Sequence, residues 1–246
     1  MLEVSGLSVS YGPVRVLYGV DLTIPDGEIT ALIGPNGAGK TTTLNAIAGL
    51  LPREGQVTFD GEPLSPVAED VLRRGVALVP QGRRIFPTMS VEENLFMGTY
   101  ANGGTWRDAP RRFRPVYEIF PRLGERRRQT ASSLSGGEQQ MLVIGRALLG
   151  EPKVVLIDEL SLGLAPKMVF TLLETIQRLN RERGTAFVLV EQAATAALSI
   201  ATSAYLLRKG QVVYQGSAER LRSEVDVLHG AYLGKPSTTL EAGLTR

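Results

Sequence analysis

Gly34-Pro35-Asn36-Gly37-Ala38-Gly39-Lys40-Thr41 satisfies the pattern G-x-x-x-x-G-K-[ST]. Glycines at this spacing let backbone N–H groups turn inward around phosphate oxygens. A helix starting at Lys40 would add unpaired donors and the positive end of its dipole. In this pattern Lys40 reaches the β- and γ-phosphates of a nucleotide and Thr41 holds Mg²⁺. Thr42, next in the chain, is counted with the phosphate site. The apolar run Val154-Val155-Leu156-Ile157 ends in Asp158-Glu159. Two acids ending a buried strand are awkward unless they have work at its C-terminal edge. Asp158 suits a Mg²⁺ ligand acting through water, and Glu159 suits a general base that polarises an attacking water. ATP and Mg²⁺ are the ligands expected from these two segments.

Alternating apolar residues from Leu2 to Tyr11, a Gly12-Pro13 turn and a second run from Val14 to Val20 predict antiparallel strands. They lead into Glu28–Ile33, which carries the glycine-rich loop at its end, and a helix is expected from Lys40 to Leu51, stopped by Pro52. Val57-Thr58-Phe59 with Asp60-Gly61 predicts a hairpin. Short apolar runs at 76–79, 154–157 and 186–190 predict strands buried on both faces of a sheet. With helices between them, the fold class is α/β: a P-loop NTPase core with a largely parallel sheet and an N-terminal antiparallel β-subdomain. Residues 88–150 lack convincing strands and are expected to form an inserted α-helical subdomain.

Composition closes off other chemistries. The 246 residues hold 27 Lys and Arg against 25 Asp and Glu, a formal charge of +2, with no cysteine and one histidine, His229. Disulfide frameworks, thiolate nucleophiles and multi-histidine metal cages are excluded. Glycine, 27 of 246, is well above the usual share of about 7%. No stretch is apolar enough for a membrane span and no secretory signal is evident, so a soluble cytoplasmic chain is expected. Eight arginines between residues 101 and 130 face only Asp108, Glu118 and Glu125. Such a patch suits nucleic acid, acidic lipid or a partner, or is a solvated helical face.

Leu134-Ser135-Gly136-Gly137-Glu138-Gln139-Gln140 precedes the strand that ends in Asp158. Ser135 and Glu138 form a capping-box pattern, and the double glycine adds a phosphate-sized concavity at a helix N-terminus. Together with the loop and the acids in this order, the segment resembles the signature motif of ATP-binding cassette (ABC) ATPases, and the resemblance spans nearly all of the chain, residues 1–234. It implies the ABC ATPase fold, and it implies that Ser135, Gly136, Gly137 and Glu138 contact ATP held by an opposing subunit. It places Tyr11 where an aromatic stacks on adenine and Gln81 where a glutamine links Mg²⁺ and water to the transmembrane partner. Gly82-Arg83-Arg84-Ile85-Phe86-Pro87, Ser161–Pro166, Val190-Glu191-Gln192 and Gly230–Gly234 look like the LivF-type ATPases of branched-chain amino acid importers.

Three departures stand out. Gln192 occupies the place where the family usually has a γ-phosphate-contacting histidine, Leu160 replaces a proline and is expected to loosen the catalytic loop, and Ala165 replaces an aspartate. Gln192 implies unequal sites, with a paralogous ABC ATPase supplying the histidine; a second copy of this chain is the alternative partner. The resemblance implies a membrane permease as partner, an extracytoplasmic solute-binding protein indirectly, and a peripheral place on the inner face of the membrane. The solute is expected to be a branched-chain or other hydrophobic amino acid; urea or another small solute is the alternative. An ABC ATPase acting on nucleic acid through the arginines is a lesser alternative, and no nucleic acid is expected. The tail from 235 to 246, rich in small and polar residues, is expected to fray.

Overall fold

The structure, a computed structural model, describes residues 1–192 and 194–223. His229, the segment Gly230–Gly234 and the tail from 235 to 246 lie outside the described residues.

Two sheets share the work. The first is antiparallel, in the order β2-β1-β4-β5, with β1 Leu2–Tyr11, β2 Val14–Ile24, β4 Glu54–Phe59 and β5 Glu62–Pro63. Asp60 and Gly61 turn between β4 and β5 with φ of 54° and 78°, as the Asp-Gly hairpin signal requires. The second sheet runs β10-β9-β3-β8-β7-β6. Its strands are β3 Ile29–Ile33, β6 Val76–Val79, β7 Val154–Asp158, β8 Ala186–Glu191, β9 Ser203–Arg208 and β10 Gln211–Ser217. All its pairings are parallel except the β9–β10 hairpin.

Strand alternation assigns each face of the central sheet its own core. On β7 and β8, Val155, Ile157, Phe187 and Leu189 join the cluster formed with the helices. Val154, Leu156, Val188 and Val190 join the cluster under the antiparallel sheet. Both faces are covered, which explains why these strands read as unbroken apolar runs. The helices are α1 Lys40–Ile47, α2 Ala68–Arg73, α3 Val91–Met97, α4 Ala109–Ile119, α5 Pro121–Glu125, α6 Gly136–Leu148, α7 Pro166–Arg183, α8 Ala194–Leu198 and α9 Ala218–Ser223. Between 88 and 150 the only strand-like feature among the described residues is the isolated bridge between Ser90 and Thr130.

Helix α1 stops at Ile47, four residues short of the expected Leu51. Gly49, at φ 73°, takes the left-handed conformation that ends helices, well before Pro52 acts. A side chain there would lie 2.8 Å from the Ala68 nitrogen, so the close approach of the α2 start also demands glycine. Arg53 reinforces the stop by donating to the Ala46 carbonyl.

The two sheets are tied by polar contacts near the phosphate loop. The Tyr18 N–H donates to the Gly210 carbonyl and the Gly210 N–H donates to the Ala38 carbonyl, both at 2.9 Å. Tyr205 on β9 is 3% exposed, and its hydroxyl accepts from the Thr23 N–H at 2.9 Å and donates to the Thr23 carbonyl at 3.2 Å. Tyr205→Phe strands that N–H and should destabilise the chain by about 1–3 kcal/mol. Urea denaturation measures it; an unchanged midpoint would show that the bridge contributes nothing.

Candidate functional site

Four neighbouring strands, β3, β8, β7 and β6, end on the same edge of the central sheet. The register places Ile33 opposite Glu191, Asp158 opposite Val190 and Val79 opposite Ile157. The segments leaving these strands therefore meet at one place. Beyond β3 lies the glycine-rich loop, beyond β8 Gln192, beyond β7 Glu159, and beyond β6 Pro80 and Gln81. A cleft of about 410 Å³ opens there, lined among others by Asn36, Gly37, Gly39, Lys40, Thr41, Thr42, Gln81, Glu159 and Gln192. A larger hollow of about 950 Å³ sits at the opposite ends of the strands, near Lys153 and Thr185. It holds none of the expected site residues, and parallel sheets bind ligands at the carboxyl ends of their strands.

Gly34 admits the loop. A side chain at that position would come within 2.2 Å of the Leu207 carbonyl oxygen. Pro35 is half-buried, Asn36 and Gly37 are exposed, and Ala38 and Gly39 are buried. Lys40 is 5% exposed, and its ammonium donates to the carbonyls of Gly34 at 2.8 Å and Pro35 at 3.1 Å. Burial pushes its pKa down, opposed by the charges of Glu159, Asp158 and Glu191.

Asp158 is 2% exposed, and Thr41 Oγ1 donates to its Oδ1 at 3.2 Å. Burial pushes this carboxyl above the ordinary aspartate range; the Thr41 hydrogen bond and Lys40 oppose the shift and Glu159 adds to it. Thr41 and Asp158 thus bring two hard oxygens together, a set that suits Mg²⁺ when phosphate oxygens complete the shell. Among the described residues no group of three or more His, Asp or Glu is placed to hold a metal ion. Gln81 Nε2 donates to Glu159 Oε2 at 2.6 Å. Glu159 itself has φ 53°, a left-handed backbone that a non-glycine residue adopts at a cost of about 1–3 kcal/mol.

Tyr11, 48% exposed at the end of β1, has its hydroxyl 3.4 Å from that of Thr42, itself buried. It projects from the surface beside the loop rather than packing into the core. Ser135–Glu138 are not among the cleft's lining residues. They start α6 with a complete capping box, and Glu138 also pairs with Arg126 at 3.1 Å. Met168 and Arg83 crowd the space beside Gly137 and Gly136. Leu160 is 1% exposed within the helix-side core. It follows Glu159 directly and packs its side chain into that core. Ala165 caps α7 with no side-chain hydrogen bond.

One buried acid escaped the reading of the sequence. Glu191, 2% exposed, accepts from Ser161 N–H at 2.9 Å and from Ser161 Oγ at 2.7 Å. Burial raises its pKa, against the Ser161 hydrogen bonds. The signal that singled out Asp158, an acid ending an apolar strand, was present at Glu191 as well.

Residues 17–161 match the ABC transporter family. The chain belongs to that family. It is 43% identical over 236 residues to the high-affinity branched-chain amino acid transport ATP-binding protein BraG of Pseudomonas aeruginosa, covering 95% of this chain and 100% of that one. The probable branched-chain amino acid transport ATP-binding protein LivF of Archaeoglobus fulgidus is 34% identical over 223 residues, covering 90% and 94%. A solved ATP-binding subunit of an ABC transporter superposes with a TM-score of 0.78 at 31% identity over 100% of both chains. A nucleotide-free ATP-binding cassette gives a TM-score of 0.83 at 25% identity, covering 92% of this chain and 95% of that one. The fold is the ABC ATPase fold, and the activity is ATP hydrolysis by a transporter's ATP-binding subunit. Among the described residues no helix is long and apolar enough to cross a membrane.

The raised carboxyl of Asp158 has a stability consequence. An acid whose folded pKa lies above its unfolded value costs stability as pH rises from the ordinary aspartate range through the raised value. Asp158→Asn should therefore raise the melting temperature of the nucleotide-free chain at neutral pH, with the gain shrinking as acid is added. Calorimetric scans check this; a lower melting temperature at neutral pH would show that the charged form is favoured.

Proposed function

We propose that this chain energises uptake of branched-chain or other hydrophobic amino acids. In this reading it works on the cytoplasmic face of the membrane, docked on a permease and paired with a paralogous ABC ATPase. The observation that carries the chemistry is the convergence of Lys40, Thr41, Asp158, Glu159, Gln81 and Gln192 on one cleft. The solute class rests on the likeness to the Pseudomonas relative over nearly the full length of both chains.

In this reading the loop from Gly34 to Thr42 grips the phosphate chain, Lys40 turning its ammonium from the carbonyls of Gly34 and Pro35 to phosphate oxygens. Tyr11 offers its exposed ring to the adenine, and stacking of this kind is worth roughly 1–3 kcal/mol. Thr41, Asp158 and Gln81 would hold Mg²⁺, which supplies charge neutralisation on the phosphates. Glu159 accepts the proton of the attacking water. The Gln81 amide, already on Glu159 Oε2, keeps that carboxylate aimed into the cleft until the nucleotide arrives. Gln192 donates to the terminal phosphate without carrying a charge. Ser135, Gly136 and Gly137 close on the nucleotide of the opposing subunit, and Glu138 holds Ser135 through the capping box. A related cassette was solved as a dimer with ADP and Pi bound, which supports working in pairs.

Permease docking is supported by an apolar groove of about 390 Å³ whose lining includes Leu72, Phe86, Met97, Tyr100, Val143 and Ala147. Phe86, Met97 and Tyr100 are exposed there at 38%, 39% and 77%. Pro80 and Phe86 line it on either side of Gln81 in the chain, so a permease segment seated there would feel changes at the cleft. The arginine patch offers less to nucleic acid than its sequence suggests, because Arg114, Arg122 and Arg126 are paired with Glu118, Glu125 and Glu138.

Glu159→Gln should keep ATP binding and lower hydrolysis by about 10²-fold or more. The same variant, held closed with ATP and captured from detergent-solubilised membranes, should bring down polytopic membrane proteins and a second cassette. Wild-type turnover in the variant would remove Glu159 from its role, and recovery of nucleic acid instead of membrane proteins would remove the transport assignment.

A further inference from the structure

Glu191 has no part in the roles assigned above, yet it is buried at 2% exposure at the end of β8. On β8 it stands opposite Ile33, the last residue before the phosphate loop, and one residue before Gln192. Both of its oxygens serve a single residue, Ser161: Oε1 accepts the backbone N–H and Oε2 accepts the hydroxyl. Ser161 is two residues beyond Glu159, and the Glu159 N–H donates to the Val190 carbonyl at 2.9 Å. The turn carrying Glu159 is thus fastened on both sides to the end of β8. On its far side Arg83, from the loop after Gln81, donates to the Gly163 carbonyl at 3.3 Å. A left-handed glutamate persists only where its surroundings over-determine it, and charge-assisted hydrogen bonds of this kind are about twice as strong as neutral ones.

We propose that Glu191 is a positioning residue for hydrolysis: through Ser161 it fixes the left-handed turn at Glu159, aims that carboxylate into the cleft, and locks it in register with Gln192. The inference rests on the reading of Glu159 as general base. It concerns the turnover step and not nucleotide capture, because neither Glu191 nor Ser161 lines the cleft.

The test is steady-state ATP hydrolysis by the full-length chain carrying Ser161→Ala, Glu191→Ala, Glu191→Gln or both alanine changes, with melting temperatures recorded for each. Ser161→Ala and Glu191→Ala should lower kcat by about 10-fold or more, since small misplacements of reacting groups have effects of this size. KM for ATP should stay within about twofold. Glu191→Gln keeps an acceptor for the N–H and a donor for the hydroxyl, so it should retain most of kcat. The double alanine variant should be no slower than Glu191→Ala alone. Near-normal kcat in both alanine variants, a parallel rise in KM, or additive losses would overturn the proposal. If Glu191→Ala does not fold, Ser161→Ala against Glu191→Gln decides it. Failure of the underlying reading has a different signature: Glu159→Gln itself would then hydrolyse ATP normally.

Discussion

Lys40 feels the charges of three carboxylates, Asp158, Glu159 and Glu191, at the edge of the central sheet, yet its ammonium forms an ion pair with none of them. Its protons go instead to the carbonyls of its own loop. The site is therefore divided: backbone donors and an ammonium on one side, an excess of buried negative charge on the other. A phosphate chain carrying a divalent cation supplies what each side lacks. Free protein bears the imbalance as desolvation, seen in the raised carboxyls of Asp158 and Glu191 and the lowered lysine. Strain at a functional site persists because the surrounding packing holds it.

The rest of the fold supplies that packing. Two apolar cores press on the two faces of the parallel strands, so the strand ends have little freedom to move apart. The antiparallel sheet reaches the phosphate loop through Gly210 and is bridged to β9 through Tyr205. On the other side the helices from α3 to α6 carry Ser135–Gly137 away from the chain's own cleft. Gln81, Arg83 and Phe86 all lie on the single loop that leaves β6, and they reach respectively Glu159, the Gly163 carbonyl in the turn beyond it and the apolar groove. The cleft and the apolar groove thus share one short segment.

Much of this was legible in the sequence because its signals are local. Asp60-Gly61 makes a hairpin by itself, and the loop from Gly34 needs glycine for close approach wherever it occurs. Strands buried on both faces announce themselves as apolar runs. Other features depend on distant partners. The early end of α1 is set by Gly49 against the start of α2, and Pro52 drew attention from it. Leu160 reads as a missing proline until the core that receives it is in place. Ser161 and Glu191 are 30 residues apart, and nothing local in the sequence joins them; only the parallel pairing of β7 and β8 makes them neighbours. The difference lies in whether a residue's partner is near in sequence.

The loop from Gly34 to Thr41 should select its ligand by the phosphate chain. Calorimetric titration of the purified chain with ATP and with AMP, each with Mg²⁺, tests it most directly. ATP should bind at least about 100-fold more tightly, a difference of about 2.7 kcal/mol, because AMP offers neither terminal phosphate to Lys40 and Thr41. Equal affinities would mean that binding rests on the base alone and that the loop does not grip phosphate.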